Sequence, residues 1–246
     1  MKIKLYISFL GLLLIAGCSK SPGELFELSE ENLKKKKPDI DLVISNLELL
    51  VNKYPQDSLA SKAQYKLASI HLNWKNDLSA GFTELENTVK NYGASVQGTQ
   101  AKNEINEFPD YTMNKAESLR KREMVKEAVQ HLMYILDKYP QHEIAPRGQY
   151  MLGDIYMNNY KDFTTAIQEY RKVIDNYGGS DQEPEAQFMI GYVYANVIND
   201  LNSAEIEYKE FLKKFPRHEL APSVKFEIEF LGKSIDEIPA LKHITS

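Results

Sequence analysis

The sequence of 246 residues has one cysteine, so no internal disulfide can form. Glycine and proline number only 12 and 10, and both are scattered, so no flexible linker divides the chain. The longest apolar run, from Leu5 to Ala16, is about a dozen residues, whereas a transmembrane helix needs about 20. The sequence therefore excludes a disulfide-stabilised domain and argues against a permanent membrane-spanning helix.

The sequence also lacks an excess of basic residues. The chain carries 30 Lys and Arg against 35 Asp and Glu, a net charge of −5. Nucleic-acid binding requires basic side chains clustered on one surface, so we expect no nucleic-acid partner. The one basic run, Lys34 to Lys37, is interpreted as a solvated helix end, with contact to lipid headgroups as the alternative.

The first residues have the layout of an export signal. Lys2 and Lys4 precede the apolar run, and small residues follow it directly before Cys18. The segment Leu14-Ile15-Ala16-Gly17-Cys18 resembles the lipobox of bacterial lipoproteins. That resemblance implies cleavage before Cys18, acylation of its thiol and of the new amino terminus, and, with Ser19 following, sorting to the outer membrane.

We therefore predict a signal peptide over 1–17, and a lipidated anchor with a short tether over 18–21. The single cysteine agrees with this prediction, because an exported protein would otherwise keep one unpaired thiol. The alternative is an ordinary buried thiol. Several acyl chains give a stable attachment that one chain does not. The predicted location is the periplasmic face of the outer membrane.

An aromatic residue followed by proline or glycine recurs along the chain at intervals of 38, 47, 38 and 38 residues. The five pairs are Tyr54-Pro55, Tyr92-Gly93, Tyr139-Pro140, Tyr177-Gly178 and Phe215-Pro216. The positions fifteen residues before each aromatic are Asp39, Asp77, Met124, Asp162 and Asp200. Aspartate accepts a backbone N–H at a helix start, and proline or glycine ends a helix, so each interval predicts one helix.

Each of these predicted helices carries an apolar stripe at helical spacing. The small or slim first positions are Val43, Gly81, Ala128, Ala166 and Ala204. Four residues later come Leu47, Leu85, Leu132, Tyr170 and Tyr208, and seven residues later come Leu50, Thr88, Ile135, Val173 and Phe211. A stripe at i, i+4 and i+7 predicts that one face of each helix is buried.

A partner helix is predicted after three of the breaks, in 63–71, 148–156 and 186–194. Its small residue, Ala68, Gly153 or Gly191, lies thirteen positions after the proline or glycine and would let two helix backbones approach closely. These paired patterns resemble tetratricopeptide repeats over residues 22–236. The resemblance implies an all-α fold, a right-handed superhelical array of about five helical hairpins with a C-terminal capping helix over 219–233, and a tail over 237–246.

Two hairpins depart from the pattern. The first, Pro22 to Pro55, lacks the small residue in its first helix, and the third has nine additional residues between Gly93 and Met124. The period of 38 residues also exceeds the usual 34 of tetratricopeptide repeats. The sequence therefore predicts longer helices or longer loops than this family usually has.

The long repeats, the closing Tyr-Pro pairs and the lipobox together resemble the BamD family, lipoproteins of the outer-membrane β-barrel assembly machinery. A second resemblance is to YbgF-like periplasmic adaptors of the Tol-Pal system or of cell-wall synthesis. Many of those carry a coiled coil and lack the lipid cysteine, whereas no a/d heptads run in this chain. Both resemblances imply a scaffold whose partners are other envelope proteins, either barrel-assembly components or extended peptide segments.

We predict no enzymatic activity, no metal and no cofactor, because no nucleophile, phosphate-loop or metal-ligand motif is present in the sequence. His142 and His218 share a repeat position, but they are two repeats apart. One repeat of two helices already separates equivalent residues by nearly 20 Å, too far to share a metal ion. His71 stands where an aromatic core residue is expected, so we predict that it is packed.

The predicted peptide-binding face lies on the first helices of the hairpins. Its aromatic positions are Tyr65, Tyr150 and Phe188, and its amide positions, eight residues later, are Asn73, Asn158 and Asn196. The concave faces of tetratricopeptide proteins that bind extended segments look like this, with stacking and backbone hydrogen bonds to the peptide. The alternative is that the aromatics pack between helices and the asparagines end them.

Overall fold

The computed structural model describes residues 20–233 and Glu237, and every regular element in this part of the chain is helical. The predicted signal peptide, Cys18 and the tail beyond Glu237 lie outside the described residues. Among the described residues no helix is both long and apolar enough to cross a bilayer. The α-helices, in chain order, are α1 (Pro22–Leu33), α2 (Ile40–Lys53), α3 (Ala60–Ile70), α4 (Leu78–Tyr92), α5 (Val96–Asn106), α6 (Phe108–Lys121), α7 (Val125–Lys138), α8 (Ala145–Ile155), α9 (Phe163–Asn176), α10 (Gln182–Val193), α11 (Leu201–Lys214) and α12 (Ala221–Glu229).

Within the region predicted as one repeat domain, the helices divide into two compact units. Unit 1 extends to Ile105, and in it α1 packs on α2, α2 on α3, and α3 on α4. Unit 2 begins at Asn106, and consecutive helices pack in the same way from α6 to α12. The prediction of an all-α array of helical hairpins is confirmed. The described part of the chain contains five hairpins, namely α1–α2, α3–α4, α6–α7, α8–α9 and α10–α11, and α12 follows the last of them.

Aspartates cap the second helices as their spacing predicted. In each case a side-chain oxygen accepts a backbone N–H from the first turn. The pairs are Asp39 with Leu42 at 3.0 Å, Asp77 with Ala80 at 2.9 Å, Asp162 with Thr165 at 3.1 Å and Asp200 with Ser203 at 3.1 Å. Met124, which stands at the equivalent position before α7, makes no side-chain cap. Four of the five second helices have the predicted aromatic as their C-cap, and α4 ends on Tyr92 itself.

The apolar stripe forms the core of each hairpin. All fifteen stripe positions are buried, including the polar Thr88, whose hydroxyl donates to the carbonyl of Glu84 at 2.7 Å. The first helix of the first hairpin has no small apolar residue, but it buries Ser29, whose hydroxyl donates to the Leu25 carbonyl at 2.9 Å. Both hydroxyls donate to a carbonyl of their own helix. Their burial in the hairpin core therefore leaves no hydroxyl without a hydrogen-bond partner.

Three first helices end in a widened turn that the sequence pattern did not predict. The chain continues from α3, α8 and α10 into five-residue π-helical turns, His71–Lys75, Tyr156–Tyr160 and Tyr194–Ile198. The next residue has a left-handed φ in each case: 54° at Asn76, 56° at Lys161 and 62° at Asn199. The capping aspartate then starts the second helix. These turns lengthen the first helices and account for part of the 38-residue period. The third hairpin has no π-helical turn after α6.

The additional residues of the third repeat form α5, an eleven-residue helix. Only Gly98 and Ala101 are buried in it. A Cβ at Gly98 would lie 2.1 Å from the carbonyl oxygen of Tyr92, so only glycine fits this approach to the end of α4. The insertion is therefore a helix packed on unit 1 and not a longer loop.

Close helix contacts occur at the predicted small residues. A Cβ added at Gly153 would lie 2.6 Å from Cε1 of Tyr170, and one added at Gly191 would lie 2.6 Å from Cδ1 of Tyr208. Both tyrosine rings are completely buried on the second helix of the same hairpin. Each glycine therefore forms the surface on which a tyrosine ring lies.

We expect Gly153→Ala to lower the free energy of unfolding by about 1–2 kcal/mol. Overpacking against the Tyr170 ring costs about 1–3 kcal/mol, which exceeds the gain of up to about 1 kcal/mol from higher helix propensity. Gly148→Ala in the same helix is the matched control, because its Cβ would meet Ile135 Cγ2 at an ordinary 3.8 Å. Urea unfolding should show Gly148→Ala as neutral or stabilising. Equal effects of the two variants would contradict the close contact at Gly153.

Candidate protein-binding surface

The six predicted binding residues lie at two levels of the first helices. The aromatics lie within α3, α8 and α10, and each asparagine is the third residue of the π-helical turn that follows. Eight residues separate the members of each pair, which is about 12 Å along a helix axis. The aromatic and the amide side chain of one repeat are therefore too far apart to bind the same residue of a ligand. They can contact different residues of one extended segment.

Tyr65 of unit 1 is half-buried beneath α5. Its hydroxyl donates a hydrogen bond to Oε1 of Glu104, and Ser61 in the same helix donates to Oε1 of Gln97 at 3.2 Å. Burial, together with the hydrogen bond to the Glu104 carboxylate, raises the pKa of Tyr65 to about 12. Two side-chain hydrogen bonds thus connect α3 with the inserted helix α5.

Tyr150 and Phe188 of unit 2 pack on the tyrosines of the core stripe. The ring centroids of Tyr150 and Tyr170 are 5.4 Å apart, and those of Phe188 and Tyr208 are 6.1 Å apart. Burial raises the pKa of Tyr150, and the nearby Asp154 carboxylate raises it further. Both aromatics are half-buried. They therefore contribute to packing within a hairpin while leaving part of each ring accessible.

The three asparagines are exposed. Asn73 Nδ2 donates to the Ser69 carbonyl at 3.0 Å, and Asn196 Nδ2 donates to the Tyr192 carbonyl at 3.3 Å. The acceptor lies four residues earlier in both cases, at the junction of the α-helix with the π-helical turn. Each of these two amides thus uses an N–H on a carbonyl of its own helix, and its oxygen is of a type that can accept a peptide N–H.

A glutamine–glutamate contact joins the two helices in three of the hairpins. The sequence analysis did not predict it. Gln149 Nε2 donates to Glu169 Oε2 at 2.5 Å, and Gln187 Nε2 donates to Glu207 Oε2 at 2.6 Å. Gln64 and Glu84 form the equivalent contact in α3–α4. The partners are twenty residues apart in all three hairpins, and this constant spacing was the available signal. The contact satisfies polar groups within otherwise apolar interfaces.

The third hairpin replaces this contact with a buried histidine. His131 is 1% exposed, and its Nδ1 lies 2.8 Å from the Glu127 carbonyl oxygen. Its Nε2 has no hydrogen-bond partner in the described part of the chain. Burial lowers the pKa of His131, and Lys115 lowers it further, while the hydrogen bond to the Glu127 carbonyl and the Glu127 carboxylate raise it. The folded protein therefore holds the neutral imidazole.

We expect unit 2 to lose stability as the pH falls below about 6.5, the ordinary pKa of histidine. The unfolded chain then binds a proton at His131 that the folded chain resists, so up to about 1.4 kcal/mol is lost per pH unit until the lowered folded pKa is reached. Unfolding of the parent and of His131→Gln at several pH values measures this. The acid slope should shrink in the variant; an unchanged slope would contradict the assignment.

Two of the carboxylates on the first helices of unit 2 are Asp154 of α8 and Glu185 of α10. Asp154 accepts hydrogen bonds from the Tyr170 hydroxyl at 2.8 Å and from Arg120 Nη1 at 3.4 Å. Burial raises the pKa of Glu185; His218 lowers it, and the neighbouring carboxylates, of which Glu219 acts most strongly, raise it.

The histidines at the equivalent loop positions act as turn residues. His142 Nδ1 accepts the Ile144 N–H at 3.3 Å, and His218 Nδ1 accepts the Leu220 N–H at 3.2 Å. His71 is half-buried as the first residue of its π-helical turn, and its carbonyl accepts the Asp77 N–H at 2.8 Å. Among the residues that the structure describes, no three His, Cys, Asp or Glu side chains are grouped so as to hold a metal ion.

Comparison with known proteins found one family model and one solved structure to report. The tetratricopeptide repeat family model matches residues 147–180 and 185–218, which contain most of α8–α9 and α10–α11. No curated protein sequence matches the chain. Among solved structures, the chain is similar to a tetratricopeptide repeat protein from Parabacteroides merdae ATCC 43184, with 14% identity and a TM-score of 0.37, covering 85% of this chain and 72% of that one. The two matched hairpins are tetratricopeptide repeats, and such repeats form scaffolds for protein–protein interaction.

Proposed function

We propose that this protein is a lipid-anchored envelope scaffold that resembles BamD and takes part in the assembly of outer-membrane β-barrel proteins. The observation that carries the proposal is the combination, in one chain, of repeat hairpins matching the tetratricopeptide family with a lipobox ending at Cys18. A scaffold of this kind binds partner segments and performs no chemistry on them. Its anchor keeps it at the periplasmic face of the membrane in which barrels are inserted.

The start of the first hairpin supports a short connection to the anchor. Ser21 caps α1 and forms a reciprocal pair with Glu24, whose Oε2 accepts the Ser21 N–H at 2.7 Å. The Tyr54 hydroxyl at the end of α2 donates to the carbonyl of Lys20 at 3.0 Å. Lys20 is only two residues from Cys18, so the acylated residue would lie within about 10 Å of the scaffold.

Partner binding is proposed on the first helices of unit 2. A photoreactive amino acid at Asn158 or Asn196 should cross-link to barrel-assembly components or unfolded barrel precursors, because both positions are exposed at the ends of the helices that carry Tyr150 and Phe188. Met133, which is exposed on the second helix α7, is the matched control position. Equal cross-linking from position 133 would contradict a binding face on the first helices.

Depletion of the protein tests the proposed role directly. Porin levels in the outer membrane should fall while the levels of unrelated lipoproteins stay constant. Unchanged porins with normal growth would contradict a BamD-like role. Co-purification of Tol proteins without barrel-assembly components would instead assign the YbgF-like alternative, an adaptor of the Tol-Pal system or of cell-wall synthesis.

Replacing Cys18 with serine should release a folded protein from the membrane. The thiol is the acylation site in this proposal, whereas the hairpins are stabilised by contacts that begin at Lys20. Membrane fractionation and far-UV circular dichroism measure the two properties separately, and Ser19→Ala serves as the control. A variant that remains membrane-bound would contradict lipid anchoring through Cys18, and a variant that loses its helicity would contradict a scaffold folded independently of its anchor.

A further inference from the structure

One edge of unit 1 combines concentrated positive charge with an exposed tryptophan. The four lysines Lys34–Lys37 form the loop between α1 and α2, and all four are exposed. None of them makes an ion pair with the residues that the structure describes. The loop is held closed at its base, because the Asp39 N–H donates to Oδ1 of the buried Asn32 at 2.9 Å.

Trp74 lies at the same edge. It is 53% exposed and belongs to the π-helical turn after α3. Its neighbour Lys75 forms an ion pair with Asp41 in the first turn of α2, with 2.6 Å between Nζ and Oδ1. Leu42, the next residue of that turn, is 47% exposed. The lysine edge, defined as Lys34–Lys37, Leu42 and Trp74, therefore lies at the end of unit 1 where α2 begins and the turn after α3 ends.

We propose that the lysine edge binds the surface of an anionic lipid bilayer. Lysine side chains are attracted to acidic headgroups, and tryptophan and leucine favour the boundary between headgroups and acyl chains. Charge complementarity selects this occupant, because the chain as a whole has a net charge of −5 while this loop concentrates four uncompensated lysines. Two nearby carboxylates are engaged, since Asp41 pairs with Lys75 and Asp39 caps α2. The exposed Glu31, in the last turn of α1, is outnumbered by the four lysines.

This contact is separate from the proposed anchor at Cys18. Ser21 and the lysine loop lie at opposite ends of α1, whose twelve residues span about 18 Å. Attachment through the N-terminal segment therefore does not by itself carry Trp74 into a bilayer. Lipid contact at Trp74 and anchoring at Cys18 can consequently succeed or fail independently.

The single tryptophan of the chain is a built-in probe for the test. The full-length protein is mixed with vesicles of phosphatidylcholine alone, or of phosphatidylcholine with phosphatidylglycerol, and some preparations contain lipids brominated near the headgroup. On the anionic vesicles we expect Trp74 emission to shift to shorter wavelength and to be quenched by the brominated lipid. High salt should reverse both effects. Attachment by the N-terminal apolar run is common to both vesicle types and does not produce the difference.

Replacing Lys34–Lys37 with glutamine should remove the preference for anionic vesicles, since each lysine contributes about fivefold to partitioning. The matched control changes four exposed lysines elsewhere in unit 1, Lys53, Lys62, Lys90 and Lys102, and should behave like the parent. Equal Trp74 emission on the two vesicle types, or equal loss in both lysine variants, would overturn the proposal. A response to soluble polyglutamate without quenching by brominated lipid would also overturn it, in favour of an acidic protein segment.

Discussion

Replacing Tyr170 with alanine should lower the free energy of unfolding of unit 2 by about 3–5 kcal/mol, the usual cost of removing a buried aromatic ring. The ring is completely buried and lies on Gly153, with the Tyr150 ring 5.4 Å away. Its hydroxyl donates to Oδ1 of Asp154 at 2.8 Å. The truncation removes the packing of α9 on α8 and leaves a cavity beside a glycine that has no side chain to fill it.

Tyr170→Phe is the matched control, because it keeps the ring and removes only the hydroxyl. Asp154 retains its contact with Arg120, so the loss should be about 1.5 kcal/mol, in the range of a hydrogen bond to a charged group. Chemical unfolding followed by circular dichroism measures both variants. If Tyr170→Ala costs no more than Tyr170→Phe, the ring is not the main support of this hairpin.

Gln149→Leu should destabilise the same hairpin by about 1.5–3 kcal/mol. The Glu169 carboxylate is 7% exposed and would lose the donor at 2.5 Å, keeping only Lys172 at 2.8 Å. A buried charged acceptor that loses a partner costs more than the hydrogen bond contributed, because the desolvation of that group is no longer offset.

The double variant Gln149→Leu, Glu169→Leu distinguishes this explanation from a simple misfit of leucine. With both polar partners replaced by apolar side chains, no buried group is left unsatisfied, and most of the stability should return. The coupling between the two substitutions follows from thermal unfolding of the parent, both single variants and the double variant. Losses that simply add would show that the glutamine–glutamate contact is not the cause.

Local sequence signals predicted most of the hairpins. The aspartates at fixed spacing cap four second helices, and the i, i+4, i+7 stripe is buried at every position. Such signals succeed because a cap or a stripe depends on residues within a few turns of one helix. The glutamine–glutamate pairs recur at a constant spacing of twenty residues in the sequence. That spacing alone does not show a hydrogen bond, because the two partners lie on different helices and meet only when the helices pack.

The surroundings of the candidate binding residues could not be predicted from local sequence. Tyr65 and Tyr150 occupy the same repeat position, but the hydroxyl of Tyr65 is bonded to Glu104 of α5 whereas the ring of Tyr150 lies on Tyr170. The difference comes from the inserted helix, which no repeat pattern describes. Whether these residues hold a partner segment stays a prediction, and cross-linking at Asn158 and Asn196 is its test.

The sequence by itself determined the succession of helices, their caps, the buried stripe and the small residues at the closest contacts, because each depends on neighbours within one hairpin. The tertiary structure decided the division into two units, the π-helical turns, the burial of His131 and the placement of Lys34–Lys37 at the same end of unit 1 as Trp74. These features depend on which helices face each other. Contacts between residues distant in sequence determine which helices face each other. A repeat pattern describes what the repeats share and not the contacts in which one repeat differs from the others.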